Sequence, residues 1–298
     1  GQLLPIHAVA SPYRDRSHFD AQNILENGGT KAYQHKDGWL NRALDAAAAT
    51  PGAIAIGQNI PVVLQGRNSA SSWAPSVLPS PDSDTIDRLM MLYETDQLFA
   101  DALRTALETD AMIATNDRKT GSRGFNGARN ITVAMEAIAK FFAADGGPGI
   151  AVYDFGGWDT HANQGRETGQ LANRLSQLDG ALDILQKRLN ALWSKTVVVI
   201  ATEFGRTVPA NGTQGSDHGT GMVTLLAGGA VDGGKTIADW PGLRSGDLYQ
   251  SRDLKPTIDI RSIFKGVLHD HLSIARAELD STVFPDSGAI AAMNNLIA

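Results

Sequence analysis

Two segments, TVVVIAT at Thr196–Thr202 and MVTLLA at Met222–Ala227, are apolar almost without a break. A strand with one wet face alternates polar and apolar residues; these do not, so both of their faces have to be covered. A third apolar run, Ile150 to Asp154, precedes a long stretch from Glu167 to Leu192. There Leu171, Leu175, Leu178, Leu182, Leu185 and Leu189 recur at helical spacing, which predicts one long amphipathic helix. Buried strands joined by such a helix predict an α/β fold, a mostly parallel central sheet with helices on both faces.

The upstream half adds less regular elements. Leu3 to Ala10 reads as a strand and Phe19 to Leu25 as a helix closed by Asn27-Gly28-Gly29. Asp37 to Ala49 reads as a second helix, Gly52 to Leu64 as two short strands or a strand and its continuation, and residues 84–117 and 130–144 as further helices. Arg67 to Asp84, rich in Ser and Pro, reads as a loop or insertion. With 298 residues and a hydrophobic fraction of 42%, the chain can bury a core as one domain over 1–298. It opens on GQLLPIHAV, which reads as a buried strand with chain expected upstream.

Composition excludes several function classes. The net charge is −6 and no basic stripe is visible, which argues against nucleic acid as a partner. The absence of cysteine excludes disulfides, thiolate nucleophiles and zinc–thiolate sites. No apolar run approaches the roughly 20 residues of a membrane-spanning helix.

The chemistry-bearing residues cluster at strand ends, where ligands bind in open α/β sheets. DFGGWDTH follows the strand at Ile150, EFGR follows TVVVIAT, and GSDHG stands just before MVTLLA. These segments supply Asp159, His161, Glu203, Asp217 and His218. Carboxylate oxygen and imidazole nitrogen together suit zinc, manganese or iron(II). Asp and His also stabilise turns, so any one of these pairs alone is compatible with loop capping. A fourth segment, YRDRSHFDAQ, puts Ser17 where a strand gives way to a helix. A hydroxyl there faces free N–H groups, suited to an anion or a nucleophile, although Ser is equally a preferred N-cap. Arg14 and Arg16 are candidates to grip phosphate or sulfate. Arg206 is either an ion-pair partner of Glu203 or an oxyanion contact. His269-Asp270-His271 ends a helical stretch and reads as its terminus. His35 and His7 read as structural.

RSHFDAQ, GWDTH, EFGRT and DHG, in this order, resemble a bacterial domain-of-unknown-function family, the one numbered fifteen-oh-one. The resemblance runs from Leu3 to about Leu272. That family is similar to the alkaline phosphatase, phosphoglycerate mutase and sulfatase superfamily. The resemblance implies an alkaline phosphatase-like fold with Ser17 as hydroxyl nucleophile. It implies Asp159, His161 and His218 at one metal and Glu203 at a second, with Phe204 where a histidine is expected. It also implies an exported protein, periplasmic or secreted.

The function expected on these grounds is a metal-dependent hydrolase, zinc or manganese its cofactor, acting on a small anionic ester. Formylglycine sulfatases need a Cys or Ser followed by Pro and Arg. Ser17 is followed by HFDAQ, so phosphate esters rank above sulfate or phosphonate esters. The alternative is a non-catalytic exported binding or assembly protein on the same fold with a degenerate site. A phosphate-shifting mutase is a third, weaker option.

Overall fold

The computed structural model describes residues 1–47, 52–75, 81–113 and 128–298. In chain order the strands are β1 (Leu3–Ala10), β2 (Ala53–Ile56), β3 (Ala70–Trp73), β4 (Ile150–Tyr153), β5 (Val198–Ile200), β6 (Met222–Ala227) and β7 (Ile258–Asp259). The helices are α1 (His18–Asn27), α2 (Trp39–Ala46), α3 (Ser83–Tyr93), α4 (Gln97–Ile113), α5 (Ala128–Ala143), α6 (Gln170–Leu189), α7 (Ile260–Leu272) and α8 (Arg276–Glu278). The chain is α/β, and its strands fall into two sheets. Contacts divide it into two compact units. One comprises Gly1–Thr50, Pro61–Ser69 and Phe155–Ala298; the other comprises Pro51–Ile60 and Ala70–Asp154.

The first unit holds the four-stranded sheet, ordered β5-β6-β1-β7. Here the expectation of a mostly parallel sheet needs correcting. β6 runs antiparallel to both β5 and β1, and only β7 is parallel to β1. The reason lies in the connection from β5 to β6. A parallel return needs a crossover, usually a helix. Residues 201–221 form none, so the chain comes back beside β5 in the opposite direction. The apolar character of β6 is explained by its central place between β5 and β1.

The core of this unit gathers Leu4, Ile6 and Val9 of β1, Met222 and Leu226 of β6, and Ile260, Ile263, Phe264, Val267 and Leu268 of α7. Trp39 of α2 stacks on Phe264 and Phe284, with ring centroids 4.6 and 5.4 Å away. Its indole N–H donates to the Leu25 carbonyl of α1 at 3.0 Å. One side chain thus ties three elements together. α1 stops where expected: Gly28 adopts φ 72° as its C-cap, a conformation glycine takes without penalty. Leu185 and Leu189 of α6 are buried as the periodicity predicts, whereas Leu175 is 51% exposed. His269 Nδ1 donates to the Ile274 carbonyl at 2.8 Å, so it closes the end of α7.

The second unit is built on the three-stranded sheet β3-β2-β4, parallel throughout. All four residues of β2 are buried. α5 contributes Ile131, Ala134, Met135, Ile138 and Phe141 to the core, and Trp73 of β3 meets Phe141 edge-on at 6.1 Å. The predicted helix over 84–117 is two helices, α3 and α4, within its described part. β3 lies inside the Ser/Pro-rich stretch, of which residues 76–80 fall outside the described residues. The second strand expected before Leu64 is instead a short 3-10 helix, Val62–Leu64. Among the described residues no helix is long and apolar enough to cross a membrane.

Trp39→Ala removes both the ring stack and the tie to Leu25. The expected loss of unfolding free energy is about 3–5 kcal/mol, read by denaturant titration with circular dichroism.

Candidate metal centre

The sheet topology decides which loops meet. β5 and β1 point the same way, so the segments following them, EFGR and SPYRDRSH, leave at one edge. β6 points the opposite way, so at that edge stands the segment preceding it, GSDHG. Register confirms the alignment: Val9, near the end of β1, pairs with Met222, the first residue of β6. Backbone pairing then locks the segments together. The Gly205 amide donates to the Thr220 carbonyl at 3.1 Å, and the Gly219 amide to the Gly205 carbonyl at 2.7 Å. The approach is close enough to exclude side chains. A Cβ on Gly205 would lie 1.9 Å from the Gly221 carbonyl oxygen, and one on Gly215 would lie 2.2 Å from the His161 backbone.

Three imidazoles and a carboxylate converge there. Nε2 of His218 lies 3.0 Å from Nε2 of His18 and 3.0 Å from Nε2 of His161. Asp159 Oδ1 is 3.1 Å from the His218 Nε2 and 2.9 Å from the His161 Nε2, and its Oδ2 is 3.3 Å from the His18 Nε2. Ligand atoms of His18, Asp159 and His218 all lie within 4.8 Å of one another, close enough to share one ion.

The other nitrogen of each ring is already committed. His18 Nδ1 faces Glu203 Oε1 at 2.6 Å, His161 Nδ1 faces Asp217 Oδ1 at 3.1 Å, and His218 Nδ1 faces the Arg16 carbonyl at 3.0 Å. Each partner is an acceptor, so in the neutral ring the proton sits on Nδ1 and the lone pair on Nε2. The lone pairs of His18 and His218 and an Asp159 oxygen therefore share one small volume, with His161 Nε2 beside it, next to His218 and Asp159. They repel one another unless a proton or a cation lies between them. Nδ1–H donated outward to carboxylate or carbonyl while Nε2 points inward is the arrangement of metal-ligating histidines. The donor set fits a divalent metal ion.

Glu203 and Asp217, expected as ligands, thus stand one layer out. Glu203 is itself fixed by the Thr202 hydroxyl at 2.8 Å, and Asp217 by the Asn211 amide at 2.9 Å. Hydrogen bonds from Asn211 and His161 hold the Asp217 carboxyl below its ordinary pKa. For Asp159, burial acts to raise the pKa. The hydrogen bond and charge of Arg206, helped by His218 and His161, outweigh it and keep the carboxyl low. Arg206 is therefore the ion-pair partner of Asp159, not of Glu203; its Nε also donates to the Ser216 hydroxyl at 3.1 Å. Phe204 is buried under the site, its ring centroid 4.8 Å from that of His18 and 4.7 Å from that of His218.

The loop before α1 looks different from its sequence reading. His18, not singled out there, is the residue that joins the cluster. Its signal was an imidazole at the first position of a helix that follows a buried strand. Ser17 is the N-cap of α1, makes no capping hydrogen bond and lies against the Tyr13 phenol. Arg14 donates to the Ser11 and Tyr13 carbonyls, the latter at 2.8 Å. Arg16 pairs with Asp253 at 2.6 Å.

The chain matches, over residues 4–283, the family described as protein of unknown function DUF1501. It belongs to that family. No curated protein sequence and no solved structure matches this DUF1501 chain.

Gly205→Ala forces apart the two segments that carry Glu203 and His218. The expected cost is about 1–3 kcal/mol, seen as a lower midpoint in thermal unfolding.

Proposed function

We propose that this DUF1501 chain is a metal-dependent hydrolase of phosphate esters, less favourably of sulfate or phosphonate esters. The observation that carries the reading is the convergence of three Nε2 atoms, each with its Nδ1 held by an acceptor, on Asp159. His18, His218 and Asp159 would hold the ion, with His161 beside them. Imidazole nitrogens with a carboxylate oxygen favour zinc, manganese or iron(II) over calcium or magnesium. The side chains of His18, Asp159, His161 and His218 are 38, 42, 46 and 25% exposed. A structural site is closed on all sides, whereas this one leaves an approach for a substrate.

Such an ion supplies Lewis acidity to an ester oxygen and lowers the pKa of a hydroxyl or water beside it. The protein's own groups do the rest. Glu203 and Asp217 keep the protons of His18 and His161 on Nδ1. Arg206 holds the Asp159 carboxylate. The amino end of α1, free of a side-chain cap, offers N–H groups to anionic oxygens. Ser17 at that end is the nucleophile the superfamily resemblance implies, and the same resemblance implies an exported protein.

One observation favours the second reading, an assembly or binding protein that takes up the ion without turnover. Arg14 is held by backbone carbonyls through one terminal nitrogen and Arg16 by Asp253 and Gln250, so both are tied into the protein's own contacts.

Elemental analysis of the purified protein should find about one zinc or manganese per chain, and none in an Asp159→Ala, His218→Ala double variant. Failure of the wild type to take up either ion from excess sink the metal centre. Glu203→Gln, which removes only the carboxylate behind His18, should weaken zinc binding about 10–100-fold, measured by chelator competition. An aryl phosphate should be hydrolysed by the metal-loaded wild type and not by Ser17→Ala. Stoichiometric metal with no turnover on aryl phosphates or sulfates would establish the binding-protein reading in place of the hydrolase.

A further inference from the structure

Each imidazole of the cluster has something behind its Nδ1. For His18 and His161 it is a carboxylate in direct contact; for His218 it is the Arg16 carbonyl. That carbonyl does not stand alone. Arg16 has φ 62°, a left-handed backbone that a residue with a Cβ adopts only when its surroundings impose it. The Arg16 side chain is held by the loop Tyr249–Asp253. The loop folds back on itself, with the Tyr249 amide donating to the Asp253 carbonyl at 2.9 Å and the Asp253 amide to the Tyr249 carbonyl at 3.0 Å. Gln250 and Ser251 inside it have φ of 53° and 54°.

Three side chains of this loop converge on the Arg16 guanidinium. Nε donates to Asp253 Oδ2 at 2.8 Å, a terminal nitrogen donates to Gln250 Oε1 at 2.7 Å, and the Tyr249 ring lies 5.8 Å from Cζ. The other oxygen of Asp253 accepts from Arg252 Nε at 3.0 Å. Arg252 in turn donates to the His218 carbonyl. Asp253 is 0% exposed and so sits between two arginines that both end on His218, one at its ring and one at its backbone.

We propose that Asp253 is a positioning residue for His218: by holding Arg16 and Arg252 it fixes the ring plane and tautomer of that imidazole, and through them the metal centre. The inference rests on the metal-centre reading. It gives each of the three histidines a carboxylate, with the one for His218 acting at one remove.

The test uses the full chain with zinc and cobalt(II) ions. The readouts are zinc affinity by chelator competition, the visible absorption of the cobalt form, and the thermal midpoint of the metal-free protein. Asp253→Asn keeps the shape of the side chain and removes its charge. It should bind zinc at least about tenfold more weakly and shift the cobalt absorption. Leu268→Ala, a core truncation in α7, serves as the control for instability and should leave both unchanged. If Asp253→Asn does not fold, Arg16→Lys carries the same expectation, because it keeps the charge and loses the Nε contact. Zinc affinity and a cobalt spectrum that match the wild type, or that change no more than in Leu268→Ala, overturn the proposal while leaving the metal centre intact. A wild type that binds neither ion overturns the metal centre and this inference together.

Discussion

The antiparallel pairing of β6 with β1 is the constraint on which the candidate site depends. It sets the start of one strand beside the end of the other, so that a segment preceding β6 meets segments following β1 and β5. Had β6 run parallel, GSDHG would stand at the far edge of the sheet and His218 could not reach His18. The hydrophobic burial that makes β6 central also fixes its register, because a slip of one residue would turn Leu226 and Met222 out of the core. Packing and chemistry are thereby coupled: the side chains that hold the sheet together determine which imidazoles meet.

Around that edge the charges are arranged in layers. His18, His161, His218 and Asp159 form the inner ring; Glu203, Asp217, Arg206 and the Arg16 carbonyl hold them from outside. Each outer group is in turn tied down, by Thr202, Asn211, Ser216 or Asp253. The precision of the inner ring comes from these short polar contacts rather than from burial, since the ring itself is half open to solvent. Phe204 supplies the apolar side.

Much of this was legible in the sequence, and the parts that were not have physical reasons. The strands at Leu3, Ile150 and Met222, the long helix and the Gly28 stop carry local signals, in apolar runs, periodicity and a left-handed cap. Asp159, His161 and His218 are marked by their glycine-flanked loops at strand ends. Strand direction is not marked: nothing in MVTLLA says which neighbour it will pair with, and only the missing crossover helix between β5 and β6 hints at it. The division of labour among the acidic residues is invisible for the same reason. Whether Glu203 reaches an ion or the ring of His18 depends on a partner 185 residues away. His18 itself was masked by Ser17, whose place at the start of α1 drew the nucleophile assignment, while the imidazole one residue on has the geometry.

His18 and His218 lie 200 residues apart in the chain, and their rings touch only because β1 and β6 have paired. Closing so long a loop costs entropy that no local contact repays. An unfolded or half-folded chain therefore holds these imidazoles as scattered, independent groups with little affinity for an ion. Capture of an ion would then report that the sheet has closed, and a bound ion would in turn hold the first strand against the sixth, a clasp fastened last and spanning most of the polypeptide.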